Sequence, residues 1–262
     1  MLKPYSVSFI GSGNLAWHLA AALDNTEFAV HEVFSNNPKH ATALVERLYQ
    51  ANVKDSLDFT DSTSRIFIIA ITDDNIQKVA QKIILPNNAI LVHTSGSQPL
   101  SVLGDGIKKS TGVFYPLQTF SKGKKIDFSE VPIFIESENR ETEKVLMAMA
   151  KAISKKVLKI SSDDRQALHI AAVFASNFTN HMLTLSKEIL ESHALKFDLL
   201  KPLIAETLNK SLEIGPEKSQ TGPAKRGDLE ILDKHIEFLK HDPQLTEIYK
   251  LISQQIIDKY NS

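Results

Sequence analysis

A chain of 262 residues with 42% hydrophobic and 23% charged side chains is long enough for one large or two medium globular domains. Its 30 basic and 31 acidic residues leave a formal charge of -1, which excludes a general attraction to nucleic acid or an anionic membrane. The absence of cysteine excludes thiol catalysis, disulfides and thiolate metal sites, and fits a reducing compartment.

The apolar run after Lys3 is too short for a secretory signal and no later run approaches membrane-spanning length, so a cytoplasmic protein is expected. That run, Val7-Ser8-Phe9-Ile10, breaks into Gly11-Ser12-Gly13-Asn14-Leu15-Ala16 and continues as an apolar helix pattern to Leu23. Gly11 permits a tight turn out of a strand, Gly13 lets backbone approach a pyrophosphate, and Ala16 lets the helix pack closely on the strand. Helix amides then point at the phosphates.

Ala29 to Phe34 reads as a second strand and Pro38 to Gln50 as a helix. An acidic residue closing this strand, about twenty residues past the glycines, would hold the ribose hydroxyls of NAD. Ser35-Asn36-Asn37 stands there instead, with Lys39 and His40 beyond. Neutral donors and nearby cations suit a 2′-phosphate that a carboxylate would repel, so NADP is favoured. The same residues also suit a plain turn capping the next helix.

Arg65 to Ile71 and Ala89 to His93 are nearly continuous apolar runs, as expected of parallel strands buried on both faces. Ligands of such sheets lie beyond the carboxyl ends of the strands, which places Ile71, Thr72, Thr94, Ser95 and Gly96 along the cleft. Further strands are predicted at Gly112 to Tyr115, Val131 to Ile135 and Lys156 to Ile160, with a helix from Asn139 to Ser154. From Ser161 onward everything reads helical, beginning with the capping-box spacing Ser161-x-x-Asp164. The expected fold is therefore α/β: a doubly wound, mostly parallel sheet over residues 1–160, followed by an all-α domain over 161–262.

The long helix predicted from Ser161 to His193 carries Leu168, Ala171, Ala175, Phe178, Met182, Leu185 and Ile189 on one side. His169, Val173, Ser176, Asn177, Asn180 and Thr184 lie on the other. Imidazole and amides on an apolar helix need polar partners, and a cleft facing a nicotinamide would supply them. His169 and Tyr115 are candidates for proton transfer, Asn177 and Asn180 for orienting a ligand, and Arg226 for pairing with a substrate anion. Each also has a purely structural reading: a hydrogen-bonded core residue for His169, a packed strand end for Tyr115, a solvated charge for Arg226. No His-x-x-x-His pair or carboxylate cluster suggests a metal, and no Gly-x-Ser-x-Gly elbow suggests a hydrolase.

Phe9-Ile10-Gly11-Ser12-Gly13-Asn14, Ala70-Ile71-Thr72-Asp73-Asp74-Asn75, His93-Thr94-Ser95-Gly96-Ser97, Tyr115-Pro116-Leu117-Gln118, His169 to Phe178 and Thr221 to Asp228 together resemble a Rossmann-like oxidoreductase family whose C-terminal half is a helical domain of unknown function. More distantly the chain is similar to pyrroline-5-carboxylate reductase, the deazaflavin-dependent NADP oxidoreductases and the 6-phosphogluconate dehydrogenase superfamily. The resemblance implies NADP bound through Gly11, Gly13, Asn14, Leu15, Ser35 and Asn36, to which Ser12 of the same turn is added as a candidate, and a helical domain that dimerises. Members of the family often carry His where this chain has Tyr115. The expected activity is hydride transfer between NADP and a small carbonyl, imine or hydroxy compound in an inter-domain cleft of a homodimer. The alternatives are an NADP-binding sensor or structural protein without turnover, and a reductase of a deazaflavin-type carrier.

Overall fold

Val7–Ile10 (β1), buried at every residue, is a central strand of the sheet in the computed structural model, which describes residues 5–104 and 110–261. Lys3 lies outside the described residues. The other strands are Val30–Phe34 (β2), Asn52–Lys54 (β3), Ile66–Ile69 (β4), Ile90–His93 (β5), Ser110–Pro116 (β6), Ile133–Glu136 (β7) and Val157–Lys159 (β8). They form one sheet in the order β3-β2-β1-β4-β5-β6-β7-β8. Only β6 and β7 run antiparallel to each other; every other neighbouring pair is parallel.

Alternate strand residues enter opposite layers, because successive side chains of a strand point to opposite faces. Phe9, Ile66, Ile68, Ile90, Val92 and Phe114 pack on the face covered by Asn14–Asp24 (α1), Pro38–Val45 (α2) and Arg140–Lys151 (α4). Ile10, Phe67, Ile69, Leu91, Val113 and Tyr115 pack on the face of Asp73–Lys82 (α3). Helix α1 buries Ala16, Leu19, Ala20 and Leu23, a stripe at helical spacing. It ends at Asp24, whose buried carboxylate accepts from Val30 N (2.9 Å) and Tyr49 N (2.7 Å).

That second bond explains one departure from expectation: α2 stops at Val45 rather than Gln50, because the chain turns to bring Tyr49 N to Asp24. Strand β3, which sequence patterning does not predict, follows at once on the sheet edge. It carries a single apolar residue, half-exposed Val53, so it has no alternation to detect.

Helix Ser162–Ala172 (α5) begins as expected, with Ser161 Oγ accepting from Asp164 N at 3.1 Å. The Asp164 carboxylate accepts from the Ser161 hydroxyl rather than from its backbone amide. The predicted continuous helix to His193 is interrupted by a π-helical segment, Val173–Phe178, before Thr179–Glu191 (α6). The remaining helices are Lys201–Ile214 (α7), Pro216–Ser219 (α8), Pro223–Arg226 (α9), Leu229–Leu239 (α10) and Pro243–Tyr260 (α11).

Two compact units result, Met1–Ser176 and Asn177–Ser262, and α5 belongs to the first. In the second unit, α6 sets Met182, Leu185 and Ile189 around an apolar groove of about 330 Å³, which Leu232, Leu239, Ile248 and Ile256 complete. Among the described residues no helix is long and apolar enough to cross a membrane.

Gly11 is fixed by the close approach of β1 and β4. Its φ is +118°, and a Cβ there would stand 2.2 Å from Ala70 O. Gly11→Ala is expected to lower unfolding free energy by about 3 kcal/mol, from strained backbone and overpacking together. Gly13→Ala meets nothing within 4 Å and is expected to cost under about 1 kcal/mol. Urea unfolding of the two variants checks both; equal midpoints would remove the steric assignment of Gly11.

Candidate functional site

The turn from β1 to α1 is held at its base by Gly11 N donating to Phe34 O and Ala70 N donating to Ile10 O, both at 2.8 Å. These bonds tie the carboxyl ends of β1, β2 and β4 together. Gly13 is the N-cap of α1, offers no side-chain cap, and no acidic residue lies in the first helical turn. A Cβ on Gly13 would enter clear space. The helix therefore presents unblocked amides and a partial positive charge where an anion can approach the backbone, which fits a dinucleotide pyrophosphate. Ser12 Oγ donates to Ser35 Oγ at 2.9 Å, so the residue closing β2 is drawn to the same turn. Asn37 caps α2 by accepting from Lys39 N, so the turn reading also holds for this segment. Exposed Asn36, Lys39 and His40 lie beside it.

Asn14 and Leu15 belong to the same turn, though each already has a neighbour: Asn14 Nδ2 donates to Phe120 O at 3.0 Å, and Leu15 packs on the core. Ile71 packs beside Gly11, and Thr72 precedes α3, where its hydroxyl accepts from Asn75 Nδ2 at 2.9 Å.

Beyond β5, the loop Thr94 to Gln98 is held from every side. Thr94 Oγ1 donates to Ile69 O (3.4 Å), Ser95 N to His93 Nδ1 (3.2 Å), and Ser97 Oγ to Asp73 Oδ2 (2.6 Å). Ser95 Oγ accepts from Ser97 N (3.1 Å) and Gln98 N (3.0 Å). The Ser95 hydroxyl thus builds the loop, and the residue is buried.

On this loop stand Tyr115 and His169. Tyr115 Oη and His169 Nδ1 are 3.1 Å apart, with the rings edge to face at 6.1 Å. Gly96 is the floor beneath them, since a Cβ there would lie 2.6 Å from His169 Nδ1 and 2.7 Å from Tyr115 Cζ. Burial pushes the Tyr115 hydroxyl above its usual pKa; the Arg165 cation pulls it down and Asp73 adds a smaller upward push. Tyr115 is therefore a neutral phenol at ordinary pH, and the bond to His169 runs from its hydroxyl when Nδ1 carries no hydrogen and toward its oxygen when Nδ1 carries one.

Sequence reasoning missed the group that organises this corner. Arg165 is fully buried and uses all five N–H donors: Nη1 to Ser95 O (2.9 Å) and Gln98 O (2.8 Å), Nη2 to Glu136 Oε2 (2.9 Å) and Ser162 Oγ (3.2 Å), and Nε to Glu136 Oε2 (3.3 Å). Ser162 Oγ also donates to Glu136 Oε1 at 2.6 Å. The available signal was position: Arg165 falls on the helical stripe of Leu168 and Ala172, where a solvated charge does not belong.

Asn177, Asn180 and Arg226 belong to the second unit, where all three are exposed. Arg226 pairs with Asp228, at 2.8 Å from Nε and 2.7 Å from Nη2. That engagement removes Asp228 as a side-chain cap of α10.

The crystal structure of a "putative NADP oxidoreductase" from Bacteroides fragilis is 36% identical to this chain, covers 98% of it and 100% of its own length, and superposes with a TM-score of 0.87. The chain belongs to the same oxidoreductase family. A family model described as a domain of unknown function (DUF2520) matches residues 131–256. A protein from Thermotoga maritima, 22% identical over 98% of this chain and 100% of its own, has a TM-score of 0.73. A reductive aminase from Aspergillus terreus, in complex with NADPH and ethyl-5-oxohexanoate, is 11% identical over 97% of this chain and 94% of its own, with a TM-score of 0.74. These last two share the fold. No match was found among curated proteins.

In this member of the family His93 is fully buried, accepts from Ser95 N, and has no well-aligned partner for Nε2. Burial pushes its pKa down from 6.5 to about 3, helped by the Arg165 cation and opposed weakly by the Pro99 backbone and Asp73. The unfolded chain takes up this proton near pH 6.5 and the folded chain does not, so the stability it contributes is present above that pH and is lost as pH falls. The expected slope is about 1.4 kcal/mol per pH unit between about pH 6.5 and about pH 3. Urea midpoints of the wild type and His93→Gln, measured from about pH 7.5 to about pH 5, check this: the variant should show the shallower decline, and identical declines would contradict it.

Proposed function

We propose that this chain is an NADP-dependent oxidoreductase acting on a small carbonyl, imine or hydroxy compound, with Tyr115 and His169 handling the proton that accompanies hydride transfer. The observation that carries the reading is the Tyr115–His169 hydrogen bond at the carboxyl end of β6, seated on Gly96. Family membership and the open amides at Gly13 support the cofactor, which supplies or accepts the hydride when bound. Gly11, Ser12, Gly13, Asn14 and Leu15 would hold it at the pyrophosphate. Ser35 and Asn36, with Lys39 and His40, favour a 2′-phosphate over a bare ribose.

In the reducing direction, protonated His169 donates from Nδ1 to Tyr115 Oη and frees the phenol hydrogen for the substrate's oxygen or nitrogen. The proton leaving Tyr115 is replaced from Nδ1, so no phenolate persists in this buried position. Oxidation runs the same transfers backwards, with neutral His169 as the base. Asn177, Asn180, Thr72 and Thr94 are proposed to orient ligands, and Arg226 to meet a substrate anion once released from Asp228.

Fluorescence titration should show NADPH bound more tightly than NADH. In a turnover screen over carbonyls and imines, Tyr115→Phe and His169→Gln should each lower kcat by about 10²- to 10⁴-fold while NADPH affinity holds. A folded wild type that binds neither nucleotide would sink the proposal, and unchanged kcat in both variants would remove the pair from it.

We also propose that the protein works as a homodimer through its helical unit. Among the described residues of that unit only Ala224, Leu232, Leu239 and Thr246 are buried, while Leu199, Leu203, Leu251 and Phe238 are exposed and Leu212 is 86% exposed. So much apolar helix surface calls for a covering partner, and a second copy supplies the same surface. Sedimentation at micromolar concentration should give twice the chain mass; a monomer would count against it.

A further inference from the structure

The rings of Tyr115 and His169 come from segments 54 residues apart, and nothing in either side chain alone fixes their separation. Three pieces of backbone must be held together: the strand bearing Tyr115, the helix bearing His169, and the loop bearing Gly96 on which both rings rest. One side chain joins the helix to the loop directly and reaches the strand through its neighbour β7. Arg165 lies one helical turn before His169 on α5, grips the loop through Ser95 O and Gln98 O on either side of Gly96, and pairs with Glu136 at the end of β7. Strand β7 is the antiparallel neighbour of β6, with Phe134 directly opposite Tyr115 and its ring 6.3 Å away.

We infer that Arg165 is a positioning residue: by clamping the Ser95–Gln98 backbone to α5 and β7, it sets the height of Gly96 and so the hydrogen bond between Tyr115 and His169. The clearance at Gly96 is what makes the clamp consequential. A methyl group there would overlap both rings, so the two rings meet in the space that a side chain at this position would fill, and the height of the loop bounds that space. The grip is over-determined for mere anchoring. Two carbonyls three residues apart, a carboxylate and a hydroxyl are met by one planar fork, a geometry that lysine cannot reproduce. Ser162 completes it by donating to Glu136 and accepting from both Arg165 and Leu100 N.

The inference rests on the reading of Tyr115 and His169 as the proton-transfer pair, but its test needs no substrate. Nitrogen-resolved NMR of the histidine rings in the full chain reports which ring nitrogen of His169 carries hydrogen, with His169→Gln identifying the signals. The wild type should show the single Nε2–H form imposed by Tyr115. Arg165→Lys should lose that pattern and show both tautomers, and Gly96→Ala should do the same without touching the clamp. Should Arg165→Lys fail to fold, Ser162→Ala removes one hydroxyl from the network and should move the signals in the same direction by less. An anchoring role alone would lower the thermal midpoint and leave the ring signals where they are. Folded Arg165→Lys or Ser162→Ala with wild-type His169 signals overturns the inference, as does a wild-type pattern in Gly96→Ala. A wild type that shows the single tautomer but turns over no substrate overturns the proton-transfer reading instead, and leaves the positioning one to the variants.

Discussion

A guanidinium with no exposure to water must be matched donor for donor, and that requirement at Arg165 shapes the corner of the molecule where chemistry is proposed. Burying an ion costs several kcal/mol, and losing one partner of a buried pair costs about 3–5 kcal/mol. The structure meets the demand with a carboxylate from β7, a hydroxyl from the start of α5 and two carbonyls from the loop after β5. These three elements have no local reason to meet. The cation makes their meeting a condition of its own burial, and His93, pressed into the same region, stays neutral partly because that cation is there.

The carboxyl ends of the parallel strands offer two different environments. At β1 and β2 the protein supplies amides, hydroxyls and an uncapped helix N-terminus with no acidic residue in its first turn, a surface that suits an anion. At β5 and β6 it supplies a buried phenol kept protonated and hydrogen-bonded to an imidazole, the pair proposed to handle one proton. Both environments lie along one edge of a single sheet, because its parallel strands end side by side with β4 between β1 and β5.

The second unit obeys another constraint. Its helices have ordinary amphipathic patterns, yet few of the apolar residues are buried, and α6 turns its own apolar stripe into a groove rather than a filled core. Hydrophobic burial is the main favourable term in folding, so surface of this kind is a demand for more chain. The sheet unit makes no such demand, with two continuous cores on its two faces.

Periodicity and glycine placement carried the sequence a long way. The alternation in the strands, the turn at Gly11 and Gly13, and the end of strand signals near Ile160 all follow from interactions within a few residues, and such interactions leave local patterns. Tyr115 and His169 stood out singly, as a phenol at a strand end and an imidazole on an apolar helix, but their hydrogen bond spans two distant segments. Strand β3 was invisible because a short edge strand with one apolar residue needs only a neighbour's backbone. Arg165 left only its place on the stripe of Leu168 and Ala172 as a signal, because an isolated cation near a helix start reads as solvated, and only the packing of α5 against the loop and β7 excludes water from it. What the chain by itself determined was the sheet, the glycine turn and the helical second half, since local geometry dictates them. The proton pair, its Gly96 floor and the buried clamp were decided by tertiary structure, because their energies exist only once separate segments have closed out the solvent.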